Sequence, residues 1–279
     1  MGVGLDRGRL AVFGGVLILS GVLLFVAAEF TGTSRVALAP VYMFSPFAAG
    51  LAVCYRYDIR LSTVGFRVGR PRWLVVSILA APLLVGLTLL LAVAFPGVGL
   101  NTSADPIPWL NLSGVPVTLG FAIAAGVTIN ALLAFGEEFG WRGYLLWELA
   151  PLGFWRASGA VGAVWGVWHA PLVLAGHNYP SFPVAGIVAM TVACIVFSPV
   201  YTYLVSRANS VFAAVFFHGV FNAFAGVVSV YSAAKTSVLS ELVASPVGLA
   251  GVAVFLSVAI GIALHGAPKP NGPWGVRRR

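Results

Sequence analysis

The sequence predicts an all-α membrane protein, a polytopic helix bundle of about eight transmembrane helices with both termini in the cytoplasm. Hydrophobic residues make up 59% of its 279 residues and charged residues only 9%, whereas charged residues average about 25% in soluble domains. The apolar residues also occur in blocks of about 20, the length that a helix needs to cross a bilayer core about 30 Å thick. These observations exclude a soluble globular domain and favour a single transmembrane domain over residues 1–279.

Eight apolar blocks have a length suited to a transmembrane helix. They run over Leu10–Ala28, Val36–Tyr55, Leu74–Phe95, Val117–Leu146, Ala157–Leu174, Val184–Val205, Val211–Val230 and Val247–Leu264. The first resembles the apolar part of a signal peptide, but at about 19 residues it is longer than a cleaved segment, so we expect a retained anchor. The fourth is too long to lie wholly in hydrocarbon, so we expect it to tilt or to consist of two joined helices.

The basic residues are distributed unevenly along these blocks. If the eight spans alternate, fourteen of the 16 Lys and Arg residues fall on one side of the membrane, and only Arg35 and Lys235 fall on the other. Because basic residues collect in cytoplasmic loops, we expect both termini in the cytoplasm and a location in the cell membrane. The basic segment 55–73 and the basic tail 265–279 would then face anionic headgroups. This distribution accounts for the net charge of +8 without a nucleic-acid partner.

Two further features exclude other kinds of protein. The loop from Pro96 to Pro116 is rich in Pro, Gly, Asn and Ser, so we expect a loop on the outer side there and not a folded domain. Cys54 and Cys194 are the only cysteines, and each stands alone in an apolar block. Neither a disulfide framework nor a Cys-x-x-Cys metal or redox site is therefore expected.

Polar side chains inside the apolar blocks are the candidate functional residues. A charge at the centre of a transmembrane helix costs about 2.5–3.5 kcal/mol, so such residues persist mainly where they are paired or functional. The fourth block contains Glu137, Glu138 and Arg142, the fifth contains His169 one turn after Trp165, and the seventh contains His218 and Asn222. Function is therefore expected in these three blocks.

Helical spacing separates the roles of these side chains. Glu138 and Arg142 are four residues apart, so they share a helix face and can form an ion pair, for which a structural role is favoured. Glu137 points about 100° away from its neighbour and is free to face a cavity. His218 and Asn222 are also four residues apart, which places an imidazole and an amide side by side.

The candidate residues also lie at similar depths. Counted along each helix from its cytoplasmic end, Glu137, His169 and His218 lie about 14, 18 and 12 Å deep at a rise of about 1.5 Å per residue. A hydrogen bond between helices could explain any one of them alone. Their common depth, together with Asn222, predicts one water-filled site on the cytoplasmic half of the bundle.

The three blocks, in this order, resemble the CAAX protease and bacteriocin-processing family of intramembrane proteases (CPBP, or Abi), which includes the type II CAAX prenyl endopeptidases. The family pattern is a pair of glutamates followed by an arginine, an aromatic residue with a histidine four positions on, and a histidine with an asparagine four positions on. The segments Gly136–Gly143, Trp165–Pro171 and His218–Asn222 match these parts. Trp165 stands where phenylalanine is common. The resemblance covers residues 117–230 and implies a catalytic core there.

The resemblance implies an intramembrane endopeptidase that acts on a peptide or membrane-protein substrate within the lipid bilayer. Glu137 would be the general base that deprotonates a water molecule, and His169 would help to hold and activate that water. His218 and Asn222 would stabilise the oxyanion that forms when the water attacks a peptide carbonyl. Supporting positions would be Glu138, Arg142 and Trp165.

Three alternatives stay open from the sequence. Glu137, His169 and His218 could ligate zinc with a water in the fourth position, but there is no His-Glu-x-x-His helix, and a mechanism without a cofactor is favoured. The same pocket could serve a non-catalytic bacteriocin-immunity or regulatory membrane protein. It could also relay protons in a proton-coupled transporter, which the absence of internal repeats disfavours.

Overall fold

A computed structural model describes residues 5–101 and 114–268 of the protein, which form a bundle of α-helices with one two-stranded sheet. The middle of the expected loop 96–116 and most of the expected tail 265–279 lie outside the described residues. The α-helices are α1 (Arg7–Thr31), α2 (Ala39–Tyr42), α3 (Ser45–Arg56), α4 (Pro71–Val93), α5 (Val115–Val127), α6 (Ile129–Glu138), α7 (Leu146–Leu149), α8 (Phe154–Trp168), α9 (Ala170–Val173), α10 (Pro183–Ala208), α11 (Phe212–Tyr231) and α12 (Leu249–His265). The chain also contains π-helical turns over Phe139–Leu145 and Val238–Ala244, and 3-10 turns over Leu61–Val64 and Ala150–Leu152.

The described helices include five that are long and apolar enough to cross a membrane. They are α1, α4, α10, α11 and the helical segment Val238–His265, which ends with α12. A sixth span results if α5 and the segment Ile129–Leu152, which are bent by 42° at the break between them, are counted as one. This bend agrees with the expectation that the fourth apolar block consists of two joined helices. The protein is a multi-pass membrane protein, and the prediction of an all-α membrane bundle is confirmed.

Two of the eight predicted spans, the second and the fifth apolar block, form shorter helices than expected. Val36–Tyr55 is divided into α2 and α3, each of which has a proline in its first turn, Pro40 and Pro46. Proline suits the first turn of a helix but disrupts a helix interior, so the block does not continue as one helix. Ala157–Leu174 is likewise divided into α8 and α9, close to Pro171. The described chain therefore has five or six candidate spans instead of eight, and the orientation of the termini stays a prediction.

The two ends of the bundle differ in character. At one end, β1 (Val98–Leu100) pairs antiparallel with β2 (Ser232–Ala234), which directly follows α11. At the other end, the basic segment between α3 and α4 contacts the turn between α10 and α11. Here the guanidinium of Arg67 donates to the carbonyl and side-chain oxygens of Asn209 at 3.1 and 2.5 Å. We call these the sheet end and the basic end.

A glycine allows α8 to approach α10 closely. A β-carbon on Gly162 would lie 2.6 Å from the carbonyl oxygen of Cys194, so no larger residue fits without movement of the backbone. The two helices therefore pack backbone against backbone along this face. This packing brings Trp165 of α8 beside Tyr201 of α10, with their ring centres 5.5 Å apart.

The helix α11 packs into the bend of the fourth block by a similar contact. A β-carbon on Gly219 would lie 2.5 Å from the carbonyl oxygen of Gly126 and 2.6 Å from the backbone nitrogen of Ala131. These two positions stand on either side of the break between α5 and α6. The close approach holds His218, the residue before this glycine, against the segment that carries the two glutamates.

We expect Gly162→Ala to destabilise the bundle and Gly159→Ala, on the same helix, to leave it intact. The methyl group at position 162 overlaps the backbone of α10, and overpacking of this kind costs about 1–3 kcal/mol. A β-carbon on Gly159 meets no atom within 4 Å, so this control adds a better helix former without a collision. Thermal unfolding of both variants in detergent, followed by circular dichroism, measures the difference. Equal midpoints would contradict the close approach.

Candidate active site

One cavity contains all four candidate catalytic side chains. It has a volume of about 410 Å³ and is bordered by α6, α8, α10 and α11. Its lining includes Glu137, His169, His218 and Asn222. The first three are buried, and Asn222 is half-buried. The structure therefore brings together side chains that lie far apart in the sequence.

Trp165 holds two of these side chains at once. Its indole Nε1–H donates to Oε2 of Glu137 at 2.7 Å. Its carbonyl oxygen accepts from Nδ1 of His169, one turn further along the chain, at 2.8 Å. Because a carbonyl oxygen can only accept, Nδ1 of His169 carries the hydrogen, and Nε2 is left as an acceptor when the ring is neutral. The sequence had indicated Trp165 as a neighbour of His169 but not as a donor to Glu137.

Glu138 is the centre of a buried charge cluster. Its Oε1 accepts from Nη1 of Arg142 at 2.9 Å, so the ion pair expected from the spacing is present. The same oxygen accepts from Nδ1 of His218 at 2.8 Å, a contact from α11 that the sequence did not indicate. The side chains of Glu138 and Arg142 are both fully buried. The cluster thus links the fourth apolar block to the seventh.

Arg142 also lies between two aromatic rings. Its Cζ is 4.2 Å from the ring centre of Trp165 and 4.3 Å from that of Tyr201. Contacts of this kind stabilise a desolvated guanidinium by about 2 kcal/mol. Tyr201 also lines the cavity, and sequence reasoning missed it. One sequence feature could have indicated Tyr201. Hydroxyl side chains occur close together at Ser198, Tyr201 and Thr202 in a largely apolar block.

A third histidine, His177, lines the same cavity nearer the sheet end. It stands in the loop between α9 and α10, outside the membrane-spanning helices. Burial lowers the pKa of His177, so its ring is uncharged near neutral pH. His177 is therefore a polar, neutral part of the cavity wall.

The zinc ligands expected from the sequence can be compared with the grouping of donor side chains in the described residues. Within residues 5–101 and 114–268, no three His, Cys, Asp or Glu side chains are grouped so that they could hold one ion. Glu137, His169 and His218, the ligands expected if zinc were used, are therefore not such a group. Each of them already has one polar atom bound to Trp165 or Glu138.

A comparison with known protein families identifies a match over the central part of the chain. Residues 117–224 match a family model described as type II CAAX prenyl endopeptidase Rce1-like. The matched range begins in α5 and ends in α11, so it contains Glu137, His169, His218 and Asn222. This family agrees with the resemblance drawn from the three sequence blocks. No curated protein matches the chain.

We expect Arg142→Met to destabilise the protein far more than Arg156→Met. Removal of one partner from a buried ion pair leaves an uncompensated charge and costs about 3–5 kcal/mol. Arg156 is exposed, and such surface substitutions change stability by about 0.5 kcal/mol or less. Unfolding midpoints of both proteins in detergent measure the effect.

A double variant tests whether the loss of stability comes from the unpaired charge that Arg142→Met leaves on Glu138. Glu138→Gln combined with Arg142→Met removes both charges of the pair, so part of the loss in stability should return. If Arg142→Met were as stable as Arg156→Met, the cluster would have no structural role.

Proposed function

We propose that this chain, which matches the family model described as type II CAAX prenyl endopeptidase Rce1-like over residues 117–224, belongs to that family and is an intramembrane endopeptidase. Its substrates would be peptides or membrane proteins, and its reaction would be the hydrolysis of a peptide bond. The observation that carries this proposal is the cavity, because it joins a carboxylate, two imidazoles and an amide from separate helices within the bundle. Such a cavity supplies a base and hydrogen-bond donors around one position for a reacting atom.

Glu137 is the base in this mechanism. Trp165 binds its Oε2, which leaves Oε1 for a water molecule in the cavity. Nε2 of His169 accepts a second hydrogen bond from that water, since its Nδ1 already donates to the backbone. Transfer of one proton from the water to Glu137 yields a hydroxide, which attacks the carbonyl carbon of the peptide bond.

His218 and Asn222 stabilise the charge that develops on the carbonyl oxygen. They are one turn apart on α11, so Nε2–H of the imidazolium and the side-chain amide can donate to the same oxygen. Glu138 supports the imidazolium through its bond to Nδ1. With His218 protonated, the buried groups comprise two carboxylates and two cations, which avoids an uncompensated charge. Donors that are fixed before the reaction need no reorganisation when the oxyanion forms.

Glu137 also completes the reaction. The proton that it took from water moves to the nitrogen of the scissile bond as the carbon–nitrogen bond of the tetrahedral intermediate breaks. The products are an amine and a carboxylic acid, whose proton is lost to the surrounding water. The carboxylate of Glu137 is then ionised again and ready for another water molecule.

We expect Glu137→Gln to lower the rate of cleavage by about 10²–10⁴, the usual contribution of a general base. Glu29→Gln, the same change at an exposed position of α1, is the matched control. Substrates are identified by comparing terminal peptides in membranes of cells that carry the wild-type or the Glu137→Gln protein. Rates are then measured with purified protein, and a prenylated CAAX peptide is the first probe. Cleavage products that form equally with both proteins would contradict the proposal.

The two rival functions have different signatures in the same experiments. Complementation of a cellular phenotype by Glu137→Gln would favour a non-catalytic binding role for that phenotype. Uptake of a solute into liposomes driven by a pH gradient would favour a proton-coupled transporter.

We also propose that the hydrolysis needs no metal and no organic cofactor. For a metal, the support is that no three His, Cys, Asp or Glu side chains of the described residues are grouped so that they could hold one ion. A tightly binding chelator should therefore leave peptide cleavage by the purified protein unchanged, under conditions in which Glu137→Gln removes it. The rate of cleavage with and without the chelator is the measurement. Loss of activity with the chelator and its return with zinc would contradict this proposal and favour hydrolysis that depends on zinc.

A further inference from the structure

The cavity extends beyond the proposed catalytic residues toward the sheet end of the bundle. Along α11 its lining continues from Asn222 past Ala225 and Gly226 to Ser229, about 10 Å at the rise of a helix. A β-carbon on Gly226 would meet no atom within 4 Å, so there is open space beside this part of the helix. The sequence had predicted a site on the cytoplasmic half, whereas the cavity reaches away from the basic end.

Two chain segments form part of the rim at this end of the cavity, which we call the mouth. The loop between α9 and α10 contributes His177 and Asn178 to the lining. The segment before α12 contributes Ser245 and Val247. A change in the distance between these two segments would therefore change the width of the mouth.

Two hydrogen bonds join the segments. The hydroxyl of Tyr179 donates to the carbonyl oxygen of Val247 at 2.8 Å, and the backbone N–H of Ser181 donates to the Glu241 carboxylate at 3.0 Å. Tyr179 is buried, whereas Ser181 is exposed. We call the bond between Ser181 and Glu241 the latch. Because water can replace an exposed hydrogen bond at small net cost, the latch is the weaker of the two links between the segments and opens first.

A second possible path, from the lipid, is closed by buried side chains that hydrogen bonds hold in place. An apolar groove of about 430 Å³ between α1 and α8 reaches Tyr42 and Trp168, and Trp168 also lines the cavity. The two rings are stacked, with centres 4.6 Å apart and planes at 5°. Tyr42 donates to the carbonyl oxygen of Trp168 at 3.1 Å, and Nε1 of Trp168 donates to Oγ of Ser45 at 3.0 Å. These residues are buried, so water does not readily replace their bonds.

We propose that the substrate chain enters through the mouth and that opening of the latch widens it. This path rests on the proposed function, because it is the path of that reaction's substrate. The segment that is cleaved is extended, a chain end or an unwound loop, and not an intact transmembrane helix, because each carbonyl inside a helix is already hydrogen-bonded to the chain four residues on.

The native cysteines test the mouth without any substrate. Both cysteines are buried, with exposed fractions of 2% for Cys194 and 3% for Cys54. Cys194 lines the cavity, and Cys54 lies elsewhere in the bundle. In the full-length protein in detergent, we expect Glu241→Ala to speed labelling of Cys194 by a small maleimide about three- to tenfold, the factor for one hydrogen bond. Glu241→Gln, which keeps an acceptor oxygen, should have a smaller effect. Mass spectrometry measures both sites, and an unchanged rate at Cys54 excludes general unfolding.

Ser45→Ala tests the competing path, because it removes the acceptor that holds Trp168. If the mouth is the path, this variant labels Cys194 at the wild-type rate. Faster labelling with Ser45→Ala and not with Glu241→Ala would overturn the proposal in favour of access from the lipid. An unchanged rate in Glu241→Ala would overturn it whatever the result with Ser45→Ala.

Cleavage is a separate readout that distinguishes failure of the path from failure of the proposed function. For any peptide that the wild-type protein cleaves, Glu241→Ala should raise kcat/KM and Ser45→Ala should not. If Cys194 labelling depends on the latch but no peptide is cleaved, the proposed endopeptidase function is refuted, and the proposal that the latch controls the mouth is supported. If peptides are cleaved at a kcat/KM that Glu241→Ala leaves unchanged, the proposed function stands and the path is refuted.

Discussion

A charge that is buried inside a membrane protein must be matched by another group of the protein, because lipid cannot solvate it. Glu138 meets this requirement with Arg142 on its own helical segment and His218 on α11. The arrangement of the site depends on these bonds. They hold the imidazole by one nitrogen so that its other nitrogen is available to the cavity, and they occupy Glu138, whereas Glu137 lines the cavity. Stability of the bundle and orientation of the site thus come from the same contacts.

Close contact between helix backbones allows these bonds to form. Gly162 lets α8 approach α10, and Gly219 lets α11 enter the bend between α5 and α6. In a bilayer, helices gain little from burying apolar surface against each other, so small residues and interhelical hydrogen bonds have a large part in association. The glycines set the distances between the helices, and the polar cluster sets their rotation.

The part of the site that follows from helical periodicity was predictable from the sequence. Glu138 and Arg142 share a face and Glu137 does not, and this holds in the structure because four residues make about one turn. The bonds from His218 to Glu138 and from Trp165 to Glu137 were not predictable, because they depend on which helices are neighbours. The division of the second apolar block into two helices was missed for another reason, since mean hydropathy over a block does not register where Pro40 and Pro46 divide it.

Trp165 changes how the site is hydrated. With phenylalanine at this position, the place that the indole N–H takes beside the carboxylate would hold no hydrogen-bond donor from this side chain. Here the protein fills that place itself, next to Oε2 of Glu137. Of the two carboxylate oxygens, Oε1 is the one left for water, and in the proposed mechanism a water at Oε1 would be the nucleophile. An experimental density map of this cavity would show whether a water lies at Oε1.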